Sequence, residues 1–553
     1  MIQRKKGKIV LYQPQQVDAS LGKPSSKDML PLECLAAASY PDRDGYEVVI
    51  VDGSLLTQEE AHRRVVEACE GAMLYGTTGI LGFMVKDAVQ CTRKVHAAYP
   101  DLKKVIGGWF ASVRPDLQLD SGMYDAVVVG QGELAMREIV EAVAAGEPLD
   151  DLKSLVLKRD GELVYNPRHP VVGWDKLLNM PWHLIQDIEP YRRAQLRPES
   201  HGDILRMPSP SWIGPRSPYF GITYFSSFGC PEPCTFCCSP FVTNRRWKAM
   251  PAERMLDDLQ QLQERWGFDV VRFHDANFGV MEKRTREFAE GILERGLKFG
   301  WNCFIETHSI LHYDSKTLDL MAEAGMHLAE IGAETGDEAF MKSNIGKPIK
   351  GDDNVQATKE MWDRGIESSV TYIIGYPHES PDSMLATLDQ ARRCQVVAPG
   401  SSPTVWPYRP IPGTKMWDEA IELGFQAPDE LEHWGSLGEY HLHETWPGRI
   451  PPEVSKVRRL YCHYQTLARG LVRNKNGLWE RLARWRLRSG NYTLGSVEAK
   501  IFDLCNRIAR KLSPPKAEIS RSWVDPGHKT GTGANKAAEG IDQSKVVSEI
   551  TTG

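Results

Sequence analysis

The sequence has no basic surplus. Its 553 residues carry 67 Lys and Arg against 73 Asp and Glu, a formal net charge of −6. A nucleic acid or an anionic membrane is held by excess positive charge that releases counterions, so neither partner is expected. Long apolar runs are missing too: nowhere do about 18 apolar residues follow one another, and no membrane helix is expected. After the basic residues 1–8 the apolar run covers only residues 9–12, too short for a secretory segment, and a cytoplasmic setting is expected. Cysteine is sparse and odd in number, eleven in all, a poor disulfide framework. In a reducing compartment such cysteines are core filler, metal ligands or catalysts. The length exceeds one core and points to roughly three to four folded units.

The fold class is α/β. In residues 1–150, short apolar runs at 8–12, 47–52, 72–75, 104–106 and 126–129 are closed by Gly, Pro or Asp and separated by amphipathic stretches. Buried parallel strands have this form, and the alternation predicts a doubly wound, Rossmann-like sheet. Thr57-Gln-Glu-Glu60 has capping-box spacing ahead of a helix. Residues 151–218 read as a hairpin about Asp160-Gly161 and a connector rich in Pro, Arg and Trp. From 219 to 425, six strand candidates (222–225, 270–274, 304–307, 328–332, 370–375 and 404–408) alternate with helices such as 251–266. Six units suit a partial (β/α)6 barrel. Residues 426–512 read as a helical cap over the barrel mouth, and 513–553 as a disordered tail poor in large apolar residues.

Three cysteines stand apart. Cys230, Cys234 and Cys237 lie within eight residues, directly after the first barrel strand. A loop at a strand's carboxyl end can aim three thiolates at one centre, and thiolates select iron–sulfur clusters or zinc. Structural zinc takes four ligands, and here the fourth is Cys238 next door or a distant residue. Core filler is the remaining alternative, though it does not normally crowd a Pro-rich loop.

The spacing Cys-x3-Cys-x2-Cys, with an aromatic before the last cysteine, resembles the radical S-adenosylmethionine (SAM) superfamily. That resemblance implies a 4Fe–4S cluster on Cys230, Cys234 and Cys237, with SAM chelating the fourth iron. It places Phe236 near the adenine and Asp275, in Phe273-His-Asp-Ala-Asn-Phe278, near the SAM amine. Ile331-Gly-Ala-Glu334-Thr335 resembles the fourth-strand G-x-E-[ST], and Ile374-Gly-Tyr-Pro377 the fifth-strand G-x-P. Glu334, Thr335, Gly375 and Pro377 are accordingly expected at SAM, and Pro410-Ile-Pro-Gly-Thr414 matches a later feature of the same barrel.

Residues 1–150 resemble the cobalamin-binding domain of cobalamin-dependent radical SAM enzymes. The likeness rests on Gln13-Pro14, Tyr75-Gly-Thr77-Thr78-Gly79, Ile106-Gly107-Gly108 and Val129-Gly130-Gln-Gly132-Glu133. It implies cobalamin contacts from Gln13, Tyr75, Thr77, Thr78, Gly107, Gly108, Gly130, Gly132 and Glu133. Glycines at strand ends allow close backbone approach to a macrocycle. A nicotinamide site needs G-x-G-x-x-G after the first strand, and Gln-Pro-Gln stands there instead. Asp-x-His-x-x-Gly, which places a histidine under cobalt, is absent from this region, as in many radical SAM relatives. A ligand-free structural sheet is the alternative.

The resemblance implies a C-methyltransferase. SAM cleavage yields a 5′-deoxyadenosyl radical that takes a hydrogen from an unactivated carbon, and the substrate radical accepts methyl from methylcobalamin. The substrate class is a small natural-product intermediate, and flavodoxin or ferredoxin is the expected electron donor. Three alternatives stay open: oxidation or cyclisation of the anaerobic porphyrin-cyclase type, a non-catalytic cobalamin or cluster sensor, and a zinc-stabilised binding protein.

Overall fold

The computed structural model of the chain describes residues 6–16, 30–174, 176–195, 220–437, 445–469 and 477–512. The tail 513–553 and much of the connector after residue 195 lie outside the described residues.

The first sheet holds seven strands: β1 (Lys8–Gln13), β2 (Glu47–Asp52), β3 (Leu74–Thr78), β4 (Lys103–Gly107), β5 (Ala126–Val128), β6 (Leu155–Arg159) and β7 (Glu162–Tyr165). Their order is β2-β1-β3-β4-β5-β6-β7. The first five pair in parallel, and β1 and β3 are buried almost throughout, as covering by helices on both faces requires. Helices Leu32–Arg43 and Glu133–Ala145 cover one face, Gln58–Ala68 and Phe83–Ala98 the other. Thr57 caps helix Gln58–Ala68 through its side chain, which accepts from the Glu60 amide at 3.3 Å. The hairpin expected about Asp160-Gly161 forms as β6 and β7, and it extends the first sheet by two strands, because β6 pairs antiparallel with β5 (Val127 opposite Val156).

The second sheet runs β15-β14-β13-β12-β11-β8, all parallel. Its strands are β8 (Gly221–Tyr224), β11 (Val270–Phe273), β12 (Gly300–Phe304), β13 (Met326–Glu334), β14 (Glu367–Ile374) and β15 (Ser402–Pro407). Two short strands, β9 (Ser227–Phe228) and β10 (Lys248–Ala249), form a separate antiparallel ribbon between β8 and β11. The six-strand expectation holds, with one displacement. The third strand ends at Phe304 rather than beginning there, and Thr307 opens the helix Thr307–His312. Helix Ala252–Trp266 buries Met255, Leu259, Leu262 and Trp266 on the sheet, with Pro251 at its N-cap.

Among its described residues, the C-terminal region expected to cap the barrel mouth is spread over both sheets. Helix Pro452–Ala468 lies along the edge strand β15: Gln465 donates to the Pro403 carbonyl at 2.8 Å and Arg458 to that of Val405 at 2.8 Å. The turn Leu431–Leu437 packs instead on helix Phe83–Ala98 of the first sheet. Its Trp434, fully buried, sits 5.2 Å from Phe110 and 5.6 Å from Trp417 between ring centroids. One apolar cluster therefore runs between the sheets, joining Leu81, Phe110 and Val129 to Tyr376, Tyr408 and Trp434. All but Trp434 lie just past strand ends, so the carboxyl ends of both sheets border the same seam.

Candidate active site

The cysteine loop leaves β8 through Phe225 and is pinched by the β9–β10 ribbon. At its start Gly229 has φ +84°, and a Cβ there would lie 2.0 Å from the Arg246 carbonyl oxygen. Only glycine fits this turn. Cys234 is buried, while Cys230 and Cys237 are half-buried. The Ser239 amide donates to the Cys237 sulfur at 3.4 Å. Burial pushes the Cys230 thiol up to about 12 and raises that of Cys234; Cys237 is raised by hydrogen bonding to Cys238 and by burial. Cys237 acts electrostatically on both of the others. Among the described residues no three His, Cys, Asp or Glu side chains are arranged to hold a single metal ion. A cluster makes a different demand, since each thiolate takes its own iron, and three neighbouring thiols on one loop fit that donor set.

Asp275, two residues beyond β11, is committed to the root of this loop. Its carboxylate accepts from the Ser226 amide at 2.7 Å, the Ser226 hydroxyl at 2.5 Å and the Ser227 hydroxyl at 2.7 Å. Burial raises its pKa, and the Arg284 guanidinium opposes that rise. Here Asp275 positions the strand end that carries the cysteines.

Beyond β13 the chain returns to the loop. Thr235 donates its amide to the Ile345 carbonyl at 3.3 Å, and Lys347 follows two residues later. The buried Lys347 ammonium donates to Glu306 at 2.8 and 3.1 Å, to Glu334 at 2.6 Å and to the Gly332 carbonyl at 3.0 Å. Burial pulls the lysine down, but Glu306 and Glu334 more than reverse this and keep it charged. Burial raises Glu334, and Lys347 opposes it. Glu334 also adopts φ +59°, rare for a non-glycine. Thr335 turns away, with its hydroxyl 3.0 Å from that of Thr387.

The ring of Phe236 packs on Tyr376 at 5.6 Å, and Tyr376 on Tyr408 at 5.1 Å. Both tyrosine hydroxyls are buried with no hydrogen-bond partner among the described residues, as is the side-chain amide of Asn277. Buried polar atoms in native interiors are satisfied by protein, water or ligand. Orphaned hydroxyls and an orphaned amide around the strand ends are what a site for a polar ligand presents. A cavity of about 290 Å³ opens beside the loop, lined by Pro231, Glu232, Asn277, His308 and Tyr313. On the fifth strand's turn, Gly375 has φ +87°, and the Gly375 and Tyr376 amides donate to Glu379 at 2.6 and 3.1 Å. Burial lifts Glu379 to about 7 despite these bonds. Pro377 is buried in the same turn, which Arg449 clamps by donating to the Tyr376 carbonyl at 2.9 Å and that of Glu379 at 3.1 Å.

Across the seam the expected cobalamin contacts divide. Gly107, Gly130 and Gly132 leave room: a Cβ on the first would meet Val128 only at 3.7 Å, and one on Gly130 would meet only the Val242 carbonyl, just after the cysteine loop. Gly108 is explained by the fold itself, since at φ +92° its Cβ would strike Thr78 at 2.7 Å and the Gly79 backbone at 2.8 Å. Thr77 donates to the Tyr12 carbonyl at 3.1 Å, and buried Glu133 opens helix Glu133–Ala145 with its pKa raised by burial. Gln13 is buried and accepts weakly from Cys34 at 3.5 Å. The Tyr75 side chain points elsewhere than expected, into the helix layer, with its hydroxyl 3.2 Å from that of Thr92. Sequence reasoning missed Asp87, which binds Tyr12 at 2.5 Å, the Gln15 amide at 2.8 Å, Gln58 at 2.7 Å and His62 at 2.8 Å. It also missed Lys347, Arg449 and the tyrosine pair, none of which carries a local signal.

Residues 224–391 match the radical SAM superfamily. An uncharacterised methyltransferase of Pyrococcus horikoshii is 28% identical over 319 residues, 57% of this chain and 62% of that protein, so the chain spans about three fifths of its length. The cytidylyl-2-hydroxyethylphosphonate methyltransferase of Streptomyces wedmorensis is 25% identical over 379 residues, 65% of this chain and 68% of its own. The cobalamin-dependent S-adenosylmethionine radical enzyme OxsB, solved with aqua-cobalamin and S-adenosylmethionine bound, superposes with a TM-score of 0.64 at 16% identity, covering 92% of this chain and 73% of that one. The matched residues span most of the second sheet, which is a radical SAM domain. The doubly wound sheet and the domain that follows it share their fold with OxsB.

Proposed function

We propose that the chain is a cobalamin-dependent radical SAM C-methyltransferase acting on a small natural-product intermediate. The observation that carries this is the shared seam: the three-thiol loop after β8 and the open glycines at the carboxyl ends of β4 and β5 border one interface, with Gly130 facing the segment after the cysteines. Cys230, Cys234 and Cys237 would hold a 4Fe–4S cluster, the ends of β11, β13 and β14 SAM, and the first sheet cobalamin. When bound, these groups supply the electron, the hydrogen-abstracting fragment and the methyl carrier.

The chain's own residues orient and exclude. Asp275 fixes Ser226 and Ser227 and so the loop's entry angle. Lys347 holds Glu306 and Glu334 beside Cys234, a fixed charge arrangement in a buried site. Phe236, Tyr376 and Tyr408 wall the mouth with rings while offering two hydroxyls to a ligand. The aromatic seam around Trp434 keeps bulk water from the space between the sheets. Reducing equivalents would come from a small electron-transfer protein of the ferredoxin or flavodoxin type.

Methyl transfer is preferred to cyclisation because both relatives described above are named methyltransferases. Incubating the anaerobically reconstituted protein with methyl-labelled SAM, a reductant and candidate substrates tests this. A product heavier by one methyl and carrying the label is expected; loss of hydrogens with no label incorporated would sink the reading in favour of oxidation or cyclisation.

A further inference from the structure

The charge balance of the whole chain is an average over unlike parts. Residues 452–512 contain fourteen Lys and Arg against four Asp and Glu, within a chain whose totals are 67 and 73. This span forms the helices Pro452–Ala468, Leu478–Ser489 and Gly495–Leu512.

The same helices expose apolar side chains. On Gly495–Leu512, Val497, Ile501 and Leu504 are 55%, 48% and 53% exposed, while Ala499 and Phe502 are buried. Their spacing of four and three residues makes one outward stripe, with Lys500 exposed beside it. On Leu478–Ser489, Leu478 and Trp485 are exposed one heptad apart, among exposed Arg481, Arg484 and Arg488. The two helices are tied together, since Arg486 pairs with Glu498 and Trp479 meets Phe502 edge-on at 5.3 Å. The apolar side chains therefore face outward from a packed helix pair.

An aliphatic stripe flanked by Lys and Arg, with a tryptophan at its border, is the composition of a helix lying in a lipid interface. We propose that helices Leu478–Ser489 and Gly495–Leu512 dock on an anionic phospholipid surface, the stripe entering the headgroup layer and the arginines meeting phosphates. Charge decides against the other occupants. A second copy of this face repeats the same positive charge, and residues 513–553, with five basic and five acidic residues, bring no net negative charge. A protein delivering electrons to the cysteine loop is needed at the β8 edge of the sheet, whereas these helices stand at the β15 edge. The inference is independent of the chemistry proposed above.

Co-sedimentation of the full chain with vesicles of phosphatidylcholine plus phosphatidylglycerol, against vesicles of phosphatidylcholine alone, tests it. Pelleting only with the anionic vesicles, weakened by salt, is expected. R481Q/R488Q should weaken partitioning about thirtyfold, and V497S/I501S/L504S should abolish it with the circular-dichroism spectrum unchanged. Absence of wild-type binding to anionic vesicles, or equal binding to both kinds, overturns the proposal. Self-association lost in the triple variant, without vesicle binding, assigns the face to a second copy and overturns it too. Should the triple variant misfold, the arginine pair still decides.

Discussion

Cys230, Cys234 and Cys237 differ from the adjacent Cys238 in what their loss should do. Changing any of the three to Ala should remove the cluster and SAM cleavage while cobalt binding, proposed for the other sheet, should survive; Cys238→Ala should keep its iron. Iron and cobalt determinations on the four variants check this, and equal iron loss in all four contradicts the assignment. Glu379 provides a pH signature. Its pKa is about 7 in the fold against 4.5 ordinarily, so the stability it contributes is fully present below about pH 4.5 and is lost as pH rises through 7. Ionising it in place costs up to about 3 kcal/mol. Glu379→Gln should therefore flatten the decline in melting temperature between pH 5 and 8 (roughly the window these pKa values bracket), and an unchanged decline would show that Glu379 is not its source. At this scale the sequence was legible where chemistry is local. Three cysteines close in the chain announce themselves. Lys347 and Glu306, 41 residues apart, do not, because only the pairing of β12 with β13 brings the segments after them together. The direction of the Tyr75 side chain is hidden for a related reason: a glycine-flanked strand end marks a ligand edge without saying which way each side chain turns.

The elements explain why the loop has its shape. Gly229 stands where the β9–β10 ribbon brings the Arg246 carbonyl against it. Gly229→Ala adds strain of about 1–3 kcal/mol for its positive φ on top of a direct clash, and should lower iron loading even though no ligand is touched. Iron per chain in the reconstituted variant is the measurement, with wild-type loading the contrary result. All six barrel strands were legible from apolar runs closed by Gly and Pro, and only the third was displaced. Its buried residues Trp301, Asn302 and Cys303 mix apolar and polar types, so the more hydrophobic run beside them drew the boundary. The hairpin was legible as a hairpin but not as sheet: β-strand patterns do not name the neighbour they pair with.

On the scale of the whole molecule, the C-terminal region is expected from its sequence to cap the barrel, and among the described residues its parts near Trp434 and Arg449 reach the seam. An amphipathic pattern shows that a face is buried without saying against what. Trp434 joins the sheets, and Trp434→Ala should cost about 3–5 kcal/mol and lower cobalt retention more than iron retention; parallel loss of both, or of neither, contradicts its place between the two sites. One chain is proposed to carry a cluster site and a cobalamin site that share a seam. Anaerobic purification of the full chain with iron, sulfide and hydroxocobalamin, followed by metal analysis and visible spectroscopy, tests this most directly. About four irons and one cobalt per chain are expected, with a cluster absorption lost in Cys234→Ala and a cobalamin absorption retained. A colourless protein holding zinc, or iron without cobalt, would contradict it.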